Sequence, residues 1–199
     1  MKLYARNVCP YCRRITSYLE ERNIEIDVVA FDPEKHDKAL SALNPKKTVP
    51  TLDAEEGLAI FESFVIIQYF EEIRPEGCLT PTLPAQRARM RLLYDLADNR
   101  LGEPMRQFVR APADDPARDD LARTLAALAV DALPLLSTEG PFALGADLSV
   151  ADFSLPPLLF RAMEAGLVAN TLPKRVQSWC QTMLARPSMR QRFPKIVLE

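Results

Sequence analysis

The sequence predicts an α/β first domain with the element order βαβ-α-ββα, followed by an all-α second domain. Residues 1–74 alternate between strand and helix patterns, residues 75–84 contain four turn-forming residues, and residues 85–199 show only helical patterns. The chain of 199 residues has room for two compact units of about 80 and 115 residues. We therefore expect a first domain at 1–74, a linker at 75–84 and a second domain at 85–199.

The first half of the N-terminal domain has the pattern of a strand–helix–strand unit. Residues 2–5 have the pattern of a short strand, and residues 10–22 that of a helix with Pro10 in its first turn. An alternating strand pattern follows at 25–31. Two strands joined through a helix in so short a stretch are expected to pair in parallel, with a right-handed crossover.

The second half of this domain is predicted to contain a helix, a hairpin and a further helix. The elements are a helix at 33–43, strands at 48–53 and 58–61 joined by a turn at 54–57, and a helix at 63–73. Asn44-Pro45 ends the first of these helices, and Ser63 is the expected N-cap of the last. The short turn makes the two strands an antiparallel hairpin.

Only helices are predicted after the linker. The stretches with helical spacing of apolar residues are 85–110, 113–137, 155–165 and 173–186. Pro104 is expected to kink or split the first. Ser149 and Asp152 have the spacing of a capping box that starts a buried helix, and two prolines at 156–157 suggest a kinked entry. Trp179 is expected in the core.

Charge and hydropathy exclude some classes of function. The chain has 25 basic and 27 acidic residues, so its net charge of −2 gives no electrostatic reason to expect nucleic acid or an anionic membrane as a partner. The N-terminus has no cationic lead before a long apolar core, and no stretch approaches the roughly 20 apolar residues of a membrane span. We therefore expect a soluble, cytoplasmic protein.

Cysteine and histidine usage argues against a metal site. The cysteines are Cys9, Cys12, Cys78 and Cys180, and the single histidine is His36. A structural zinc site needs a second pair of ligands, and a secreted disulfide scaffold needs denser cysteines in a shorter chain. His36 lies in a polar helical stretch, where a solvated side chain is expected. No metal is predicted.

The Cys-x-x-Cys motif at Cys9 and Cys12 carries the predicted chemistry. Cys9 lies between a strand and the start of a helix, where free N–H groups and the helix dipole favour an anion. A thiol in this position has a depressed pKa and reacts as the thiolate, and Arg13 and Arg14 add positive charge. Cys12 lies one turn later, within reach of a disulfide. We expect Cys9 to attack and Cys12 to resolve.

Two further features indicate a ligand site. If the Val49-Pro50 bond is cis, the backbone N–H and C=O of Val49 are free to pair with an extended peptide; frequency alone favours an ordinary trans bond. At the start of the next helix, a ligand carboxylate could share the cap with Ser63 while Glu62 faces an ammonium group. The alternative is a simple cap beside a solvated glutamate.

Three motifs carry a resemblance to known families: Cys9-Pro10-Tyr11-Cys12, Thr48-Val49-Pro50 and Glu62-Ser63. The first resembles the active-site motif of glutaredoxins and the second resembles their cis-proline loop. The third looks like the site where glutathione transferases hold the γ-glutamyl group. Together with the linker and the helical second domain, the whole chain resembles the glutathione S-transferase superfamily, in particular its two-domain glutaredoxin-like and cysteine-type members.

This resemblance implies a thioredoxin-like first domain and an all-α second domain, with glutathione bound along the first domain as cosubstrate and a homodimer as the usual assembly. It implies Cys9 as the catalytic thiol and pairing of Val49 with the cysteinyl backbone of glutathione. The substrate-binding residues that it implies are Tyr11, Thr48, Val49, Pro50, Glu62 and Ser63.

Three functions remain open at the level of sequence. The preferred one is glutathione-dependent thiol–disulfide exchange on a small disulfide, for which the motif supplies both cysteines. The second is glutathione conjugation or reductive dehalogenation of a small electrophile, in which Cys12 has no part. The third is a non-catalytic, RNA-polymerase-associated role, because several stretches also resemble stringent starvation protein A; that group generally lacks the cysteine pair.

Overall fold

The structure is a computed structural model that describes residues 1–190. Residues 191–199, which the sequence assigns to the second domain, lie outside the described residues. The contacts divide the chain into two compact units, one containing Met1–Cys78 and the other Leu79–Met189. This boundary falls within the segment 75–84, while the exact domain bounds stay a prediction.

The first unit is a four-stranded mixed sheet with three helices. Its elements are β1 (Lys2–Ala5), α1 (Pro10–Glu21), β2 (Asp27–Ala30), α2 (Pro33–Leu43), β3 (Thr51–Asp53), β4 (Ala59–Phe61) and α3 (Ser63–Ile73). The strand order is β2-β1-β3-β4; β1 and β2 are parallel, and the pairs β1–β3 and β3–β4 are antiparallel. The predicted order βαβ-α-ββα is confirmed.

A ladder of apolar side chains fixes the strand register. Leu3 lies opposite both Val28 and Leu52, and Leu52 lies opposite Ile60. Leu3 and Leu52 are fully buried, as is Ile15 of α1. Each such side chain contributes about 1.5–3 kcal/mol by leaving water. A one-residue slip would turn these side chains to the opposite face, so the pattern specifies the register.

Three strands are shorter than the sequence predicts, and β4, at Ala59–Phe61 instead of 58–61, differs by a single residue. β2 spans Asp27–Ala30 instead of 25–31 because its partner β1 has only four residues to pair with. β3 begins at Thr51 instead of residue 48. Pro50 precedes Thr51 and has no N–H to donate to a neighbouring strand, so the ladder starts after it.

A buried polar cluster joins α1 to α3. Glu71 accepts a hydrogen bond from the Tyr18 hydroxyl at 2.7 Å and forms an ion pair with Arg22. Cys78 Sγ donates to the other carboxylate oxygen of Glu71 at 2.7 Å, although the residue is exposed overall. Burial, followed by the neighbouring carboxylate, raises the pKa of Tyr18. Cys78 therefore has a structural partner of its own.

The second unit is helical, as predicted. Its longer elements are α4 (Pro84–Asp95), α5 (Gly102–Arg110), α6 (Ala117–Asp131), α7 (Pro156–Glu164) and α8 (Lys174–Ala185), followed by the four-residue helix α9 (Pro187–Arg190). Among its described residues, the only β-type pairing is an isolated bridge between Phe142 and Gly145. No helix within residues 1–190 is long and apolar enough to cross a membrane.

The first long helix predicted in this unit is interrupted before Pro104. α4 continues into a π-helical segment, Leu96–Leu101, and α5 then begins at Gly102. Pro104 cannot donate to the carbonyl of Arg100, and its ring crowds that carbonyl. A π-helical turn immediately upstream accommodates both effects, so the irregularity lies upstream of the proline.

The second predicted helix is shorter than 113–137 at both ends. α6 begins at Ala117 because Pro116 disfavours helical backbone at the residue before it. It ends at Asp131, and a short 3-10 turn, Leu133–Leu135, follows around Pro134.

The predicted capping box is present but starts a different element. Ser149 N and Oγ both donate to Asp152 Oδ2, at 2.9 and 3.0 Å. The box opens the 3-10 helix Val150–Phe153, and α7 starts only at Pro156, with both prolines in its first turn. Prolines are tolerated there because their missing N–H groups have no intrahelical partner in any case. Trp179 is fully buried, as predicted.

Candidate active site

Cys9 lies where the chain leaves the sheet and enters α1. It is the N-cap residue of that helix, with extended backbone angles (φ −87°, ψ 119°), and Pro10 is the first helical residue. Cys9 N donates to Arg6 O at 3.1 Å, and Arg13 N donates to Cys9 O at 3.0 Å. The residue is partly exposed. Its side chain makes no capping bond, so the thiol is left for other contacts.

The thiol of Cys9 faces the loop before β3. Cys9 Sγ donates to Val49 O at 3.6 Å, within the range for a sulfur donor. The Val49-Pro50 bond is cis. The general frequency of X-Pro bonds pointed to trans, so the resemblance to the cis-proline loop was the better guide.

Hydrogen bonding lowers the pKa of Cys9. The largest cause is the hydrogen bond from the Cys12 thiol, which outweighs the opposing effect of burial. The backbone N–H groups of Cys12 and Tyr11 and the positive charge of Arg14 lower this pKa further. Cys9 is therefore the cysteine of the pair that ionises first, and the thiolate is the nucleophilic form.

Cys12 behaves in the opposite way. It is fully buried, and Arg6 N donates to its Sγ at 3.4 Å. Burial, and then the hydrogen bond and charge of Cys9, raise the pKa of Cys12 well above its ordinary value. Burial likewise raises the pKa of Cys180, in the second unit, to about 12. A reagent from solvent therefore meets Cys9 before Cys12.

The start of α3 differs from the prediction. The N-cap is Glu62, whose φ of 71° is rare for a residue other than glycine, and Ser63 is the first helical residue. The prediction of Ser63 as N-cap is wrong because its hydroxyl faces α1. Ser63 is 4% exposed, and Arg14 NH1 donates to its Oγ at 2.9 Å.

Glu62 already has a cationic neighbour. Its Oε1 lies 2.7 Å from Lys46 Nζ, and the two side chains are about half exposed. Lys46 Nζ also lies 5.6 Å from the ring centroid of Phe61. An exposed pair of this kind contributes only about 0–1 kcal/mol. A ligand ammonium at Glu62 would therefore compete with Lys46 at small cost.

Asn44 organises the loop that carries Val49. It is fully buried, and its Nδ2 donates to Thr48 O (3.2 Å), Thr48 Oγ1 (3.1 Å) and Thr51 Oγ1 (2.9 Å). Its Oδ1 accepts from Lys46 N at 2.9 Å. Thr48 is exposed and Pro50 is buried. These bonds hold both sides of Val49 in place.

The predicted site residues fall into three groups. Cys9 and Val49 touch directly. Tyr11 and Ser63 are linked through Arg14, whose guanidinium carbon lies 5.3 Å from the centroid of the Tyr11 ring. The others, Thr48, Pro50 and Glu62, lie in the loop before β3 or at the start of α3, where Asn44 and Lys46 contact Thr48 and Glu62.

Sequence reasoning missed the roles of Arg14, Asn44 and Lys46. It gave Arg14 only a general positive charge and Asn44 only the end of a helix. Arg14 lies four residues before the buried Tyr18, which places a cation on the apolar face of α1. Asn44 lies two residues before Lys46, the spacing of an Asx turn. The sequence carries no comparable signal for Lys46.

His36 does not have the solvated side chain that the sequence predicted. Its Nδ1 accepts a hydrogen bond from Asp32 N at 3.0 Å. Its ring lies 6.3 Å from that of Tyr4 and 6.2 Å from that of Phe31, measured between centroids. His36 thus packs its ring from the first turn of α2 towards Tyr4 of β1 and Phe31 after β2. Within residues 1–190, no cluster of three or more His, Cys, Asp or Glu side chains could hold a metal ion.

Comparison with known proteins identifies the fold and relates the chain to known families. Residues 3–77 match the family model for the N-terminal domain of glutathione S-transferase. The chain is 27% identical over 194 residues to a stringent starvation protein A homolog of Pasteurella multocida, which covers 96% of this chain and 89% of that protein.

Two solved structures resemble the whole chain. Glutathione transferase Omega 3C from Trametes versicolor matches with a TM-score of 0.80 and 26% identity, over 94% of this chain and 86% of that one. Maleylacetoacetate isomerase from Methylobacterium extorquens AM1, solved with bound malonate and GSH, matches with a TM-score of 0.76 and 25% identity, over 95% and 94%.

These similarities agree with the architecture of the two units. The first unit has the thioredoxin-like arrangement and the second is all-α, which together make up the glutathione transferase architecture. The family model covers most of the first unit, and the relatives extend over nearly the whole chain. Residues 3–77 thus match the N-terminal domain of the glutathione S-transferases, and the chain as a whole is similar in sequence and fold to members of that superfamily.

Proposed function

We propose that this protein is a glutathione-dependent thiol–disulfide oxidoreductase in which Cys9 is the nucleophilic thiolate. The observation that carries the proposal is the contrast between two thiols one helical turn apart. Cys9 is partly exposed at the N-terminus of α1 and has a lowered pKa, whereas Cys12 is buried and retains its proton. This division suits disulfide exchange, because one thiolate attacks while the second thiol stays protected until a mixed disulfide has formed.

The reaction proceeds by successive thiol–disulfide exchanges. The Cys9 thiolate attacks one sulfur of a small disulfide, the S–S bond breaks, and the departing thiolate takes a proton from solvent. Cys9 is then held in a mixed disulfide. In one route, a glutathione thiolate attacks the substrate sulfur of that bond; Cys9 leaves as the thiolate, and the product is the mixed disulfide of glutathione and the substrate thiol. In the other route, Cys12 loses its proton and attacks Cys9 Sγ; the Cys9–Cys12 disulfide forms, and the substrate thiolate leaves and takes a proton. Two glutathione molecules return the Cys9–Cys12 disulfide to dithiol and leave as glutathione disulfide.

Glutathione is the proposed cosubstrate, bound along the first unit. Val49 presents its backbone beside Cys9 Sγ, where the cysteinyl part of glutathione can pair with it. The N-terminus of α3 at Ser63 suits the γ-glutamyl carboxylate, and Glu62 suits its ammonium group. Support comes from the maleylacetoacetate isomerase solved with bound GSH. Tyr11, Thr48 and Pro50 complete the proposed site.

The test is reduction of hydroxyethyl disulfide by glutathione. We expect Cys9→Ser to abolish activity, because serine gives no thiolate. Cys78→Ser is the matched control: it also removes an exposed cysteine, and its hydroxyl can still donate to Glu71. Equal activity of Cys9→Ser and the wild type would overturn the proposal.

Conjugation of an electrophile is the second candidate, favoured by the likeness to a transferase of the omega type. It needs the Cys9 thiolate and glutathione but not Cys12. Under this alternative, Cys12→Ser keeps full activity on an aryl halide while the protein reduces no disulfide. The similarity to stringent starvation protein A favours a third, non-catalytic role. A folded wild-type protein inactive in both assays would support that role.

The proposed assembly is a homodimer. An apolar groove of about 580 Å³ runs along β4 and α3, with Leu58 and Val65 about half exposed and Glu72 at its edge. α4 exposes Leu92 beside Arg89. The groove and this helix are complementary in charge and apolar character, so α4 of a second copy is its proposed occupant.

Sedimentation measures this assembly directly. The wild type should sediment at twice the chain mass of 22.4 kDa. Leu92→Glu should sediment as a monomer, because it places a charge against the apolar groove. Val130→Glu, which changes an equally exposed residue of α6, should stay dimeric. A monomeric wild type would exclude the dimer.

A further inference from the structure

One buried cation lies between the two parts of the proposed glutathione site. Arg14 is fully buried on α1. Its NH1 donates to Ser63 Oγ at 2.9 Å, and its guanidinium carbon lies 5.3 Å from the Tyr11 ring centroid. A buried guanidinium is unfavourable unless hydrogen bonds and aromatic faces compensate for lost water. The hydroxyl of Ser63 and the ring of Tyr11 provide such compensation here.

The two contacts of Arg14 lead to different parts of the site. Ser63 is the first residue of α3, where the ligand carboxylate is proposed to bind. Tyr11 belongs to the first turn of α1, whose N-cap is Cys9. A charge inside the protein acts over a longer distance than the same charge in water. The charge of Arg14 can therefore act on Cys9 through the protein interior.

We propose that Arg14 is a positioning residue that couples carboxylate binding at the start of α3 to the reactivity of Cys9. This inference rests on the proposed function. Arg14 holds the Ser63 hydroxyl, and with it the first turn of α3, in the orientation that receives the carboxylate. The same positive charge favours the thiolate form of Cys9, which agrees with its contribution to the lowered pKa of that thiol.

The coupling has a definite sign. A carboxylate bound beside Ser63 brings a negative charge close to Arg14 and offsets part of its positive charge. The Cys9 thiolate then receives less stabilisation, so its pKa should be higher in the occupied site than in the empty one. By reciprocity, ionisation of Cys9 weakens binding of the carboxylate.

Two measurements that need no turnover test the coupling. The first is the dissociation constant for S-methylglutathione, which carries the γ-glutamyl carboxylate but no free thiol. The second is the pKa of Cys9, taken from the pH dependence of its alkylation by iodoacetamide. Both are measured in a Cys78→Ser background, so that the exposed Cys78 does not react.

Arg14→Met removes both the charge and the donor. We expect the dissociation constant to rise roughly tenfold or more, as for loss of a charged hydrogen bond, and the pKa of Cys9 to rise. Arg14→Lys keeps the charge but loses the planar fork. It should weaken ligand binding while leaving the pKa of Cys9 close to the wild-type value.

Ser63→Ala separates the two contacts. It should weaken ligand binding and leave the pKa of Cys9 nearly unchanged, because Arg14 keeps its charge. In the double variant Arg14→Met/Ser63→Ala, ligand binding should be no weaker than in Arg14→Met alone, because both substitutions break one interaction. Binding losses that simply add would overturn the positioning role.

A merely structural role of Arg14 predicts a different pattern. Arg118→Met is the control: Arg118 binds the carbonyl oxygens of Phe108 and Ala111 in the second unit. It should lower thermal stability without changing the pKa of Cys9. An unchanged pKa of Cys9 in Arg14→Met overturns the electrostatic half of the proposal. If that variant fails to fold, Arg14→Lys and Ser63→Ala decide: a clear rise in the pKa of Cys9 in either variant, or unweakened ligand binding in both, overturns the proposal.

The proposed function and the coupling through Arg14 can be refuted independently of each other. If Cys9→Ser reduces hydroxyethyl disulfide as well as the wild type, disulfide exchange by Cys9 is excluded. The ligand-binding and alkylation measurements still test the proposed coupling through Arg14. If Cys9→Ser is inactive but the Arg14 variants bind and alkylate like the wild type, the function stands and the coupling is excluded.

Discussion

Asp152 in the second unit and Cys9 in the first are both acids surrounded by hydrogen-bond donors, but their pKa values move in opposite directions. At Asp152, burial outweighs the donors and raises the pKa. At Cys9, the hydrogen bond from Cys12 outweighs burial and lowers the pKa. Cys9 is partly exposed, whereas Asp152 has no exposed surface. The balance between hydrogen bonding and burial thus falls on opposite sides at the two acids.

The donors at Asp152 connect separate segments of the second unit. The hydrogen bonds come from Ala143 N (2.7 Å), Ser149 N (2.9 Å), Ser149 Oγ (3.0 Å) and Trp179 Nε1 (2.7 Å). They join a loop, a 3-10 turn and α8 at one carboxylate. The polar atoms here hold segments together, whereas those around Cys9 control the protonation of one sulfur.

Arginines show the same difference between the units. Arg118 donates to the carbonyl oxygens of Phe108 (2.9 Å), Ala111 (2.8 Å) and Ala165, which lie at the ends of α5 and α7. Cations at helix C-termini satisfy the last carbonyl groups. Arg14 instead donates to a side chain at a helix N-terminus, a position that suits anions. A cation at this position therefore favours the binding of an anionic ligand, and it also stabilises the fold.

The largest expected effect is on folding, at Asp152. Asp152→Ala should lower the free energy of unfolding by roughly 3–4 kcal/mol, because several buried donors lose their acceptor. Urea unfolding measures this change. Asp147→Ala changes an exposed aspartate in the loop before this 3-10 helix; it is the control and should change stability little. A loss below about 1 kcal/mol in Asp152→Ala would show that the network contributes little to stability.

The next effect is on reactivity, at Cys12. Cys12→Ala removes the hydrogen bond that lowers the pKa of Cys9 most. A lowered pKa keeps Cys9 ionised to lower pH, so this substitution should move its alkylation profile to higher pH. Cys12→Ser retains a donor and should move the profile less. Iodoacetamide rates between about pH 5 and 10 in the Cys78→Ser background give both values.

An unchanged profile in Cys12→Ala would mean that burial and backbone donors alone set the pKa of Cys9. The contrast with Asp152 would then not depend on the neighbouring thiol. A profile shifted to lower pH would contradict the role of Cys12 altogether.

A smaller effect is the pH dependence of stability caused by Asp152. A raised folded pKa means that the folded protein binds this proton more tightly than the unfolded chain, whose value is near 3.8. The stability that it contributes is complete below the unfolded pKa and is lost as pH rises through the folded pKa. Asn does not titrate, so the stability difference between wild type and Asp152→Asn should shrink as pH rises. A difference that grows with pH would contradict the raised pKa.

Sequence patterns predicted much of the fold because apolar spacing determines which elements form. The bounds of β1 and α3 were predicted correctly, and the Cys9–Cys12 motif lies at the strand–helix junction as expected. Hydrogen-bond partners were harder. Ser63 has the residue type of an N-cap, but the positive φ of Glu62 moves the cap one residue earlier. Ser63, which accepts the hydrogen bond from Arg14, lies 49 residues away in sequence. No local sequence pattern can predict a partner at that distance.

The smallest expected effect concerns Lys46 and Glu62, where solvent, and not the protein, surrounds the charges. Lys46→Ala should change the free energy of unfolding by less than about 1 kcal/mol, since both side chains are more than half exposed. It also frees Glu62 for the ammonium group of glutathione. Affinity for S-methylglutathione should therefore rise, by no more than about fivefold. Lys47→Ala is the control, because it removes an equally exposed pair, with Asp37. A loss of affinity in Lys46→Ala alone would assign Lys46 to the ligand and remove Glu62 as the site of the ammonium group.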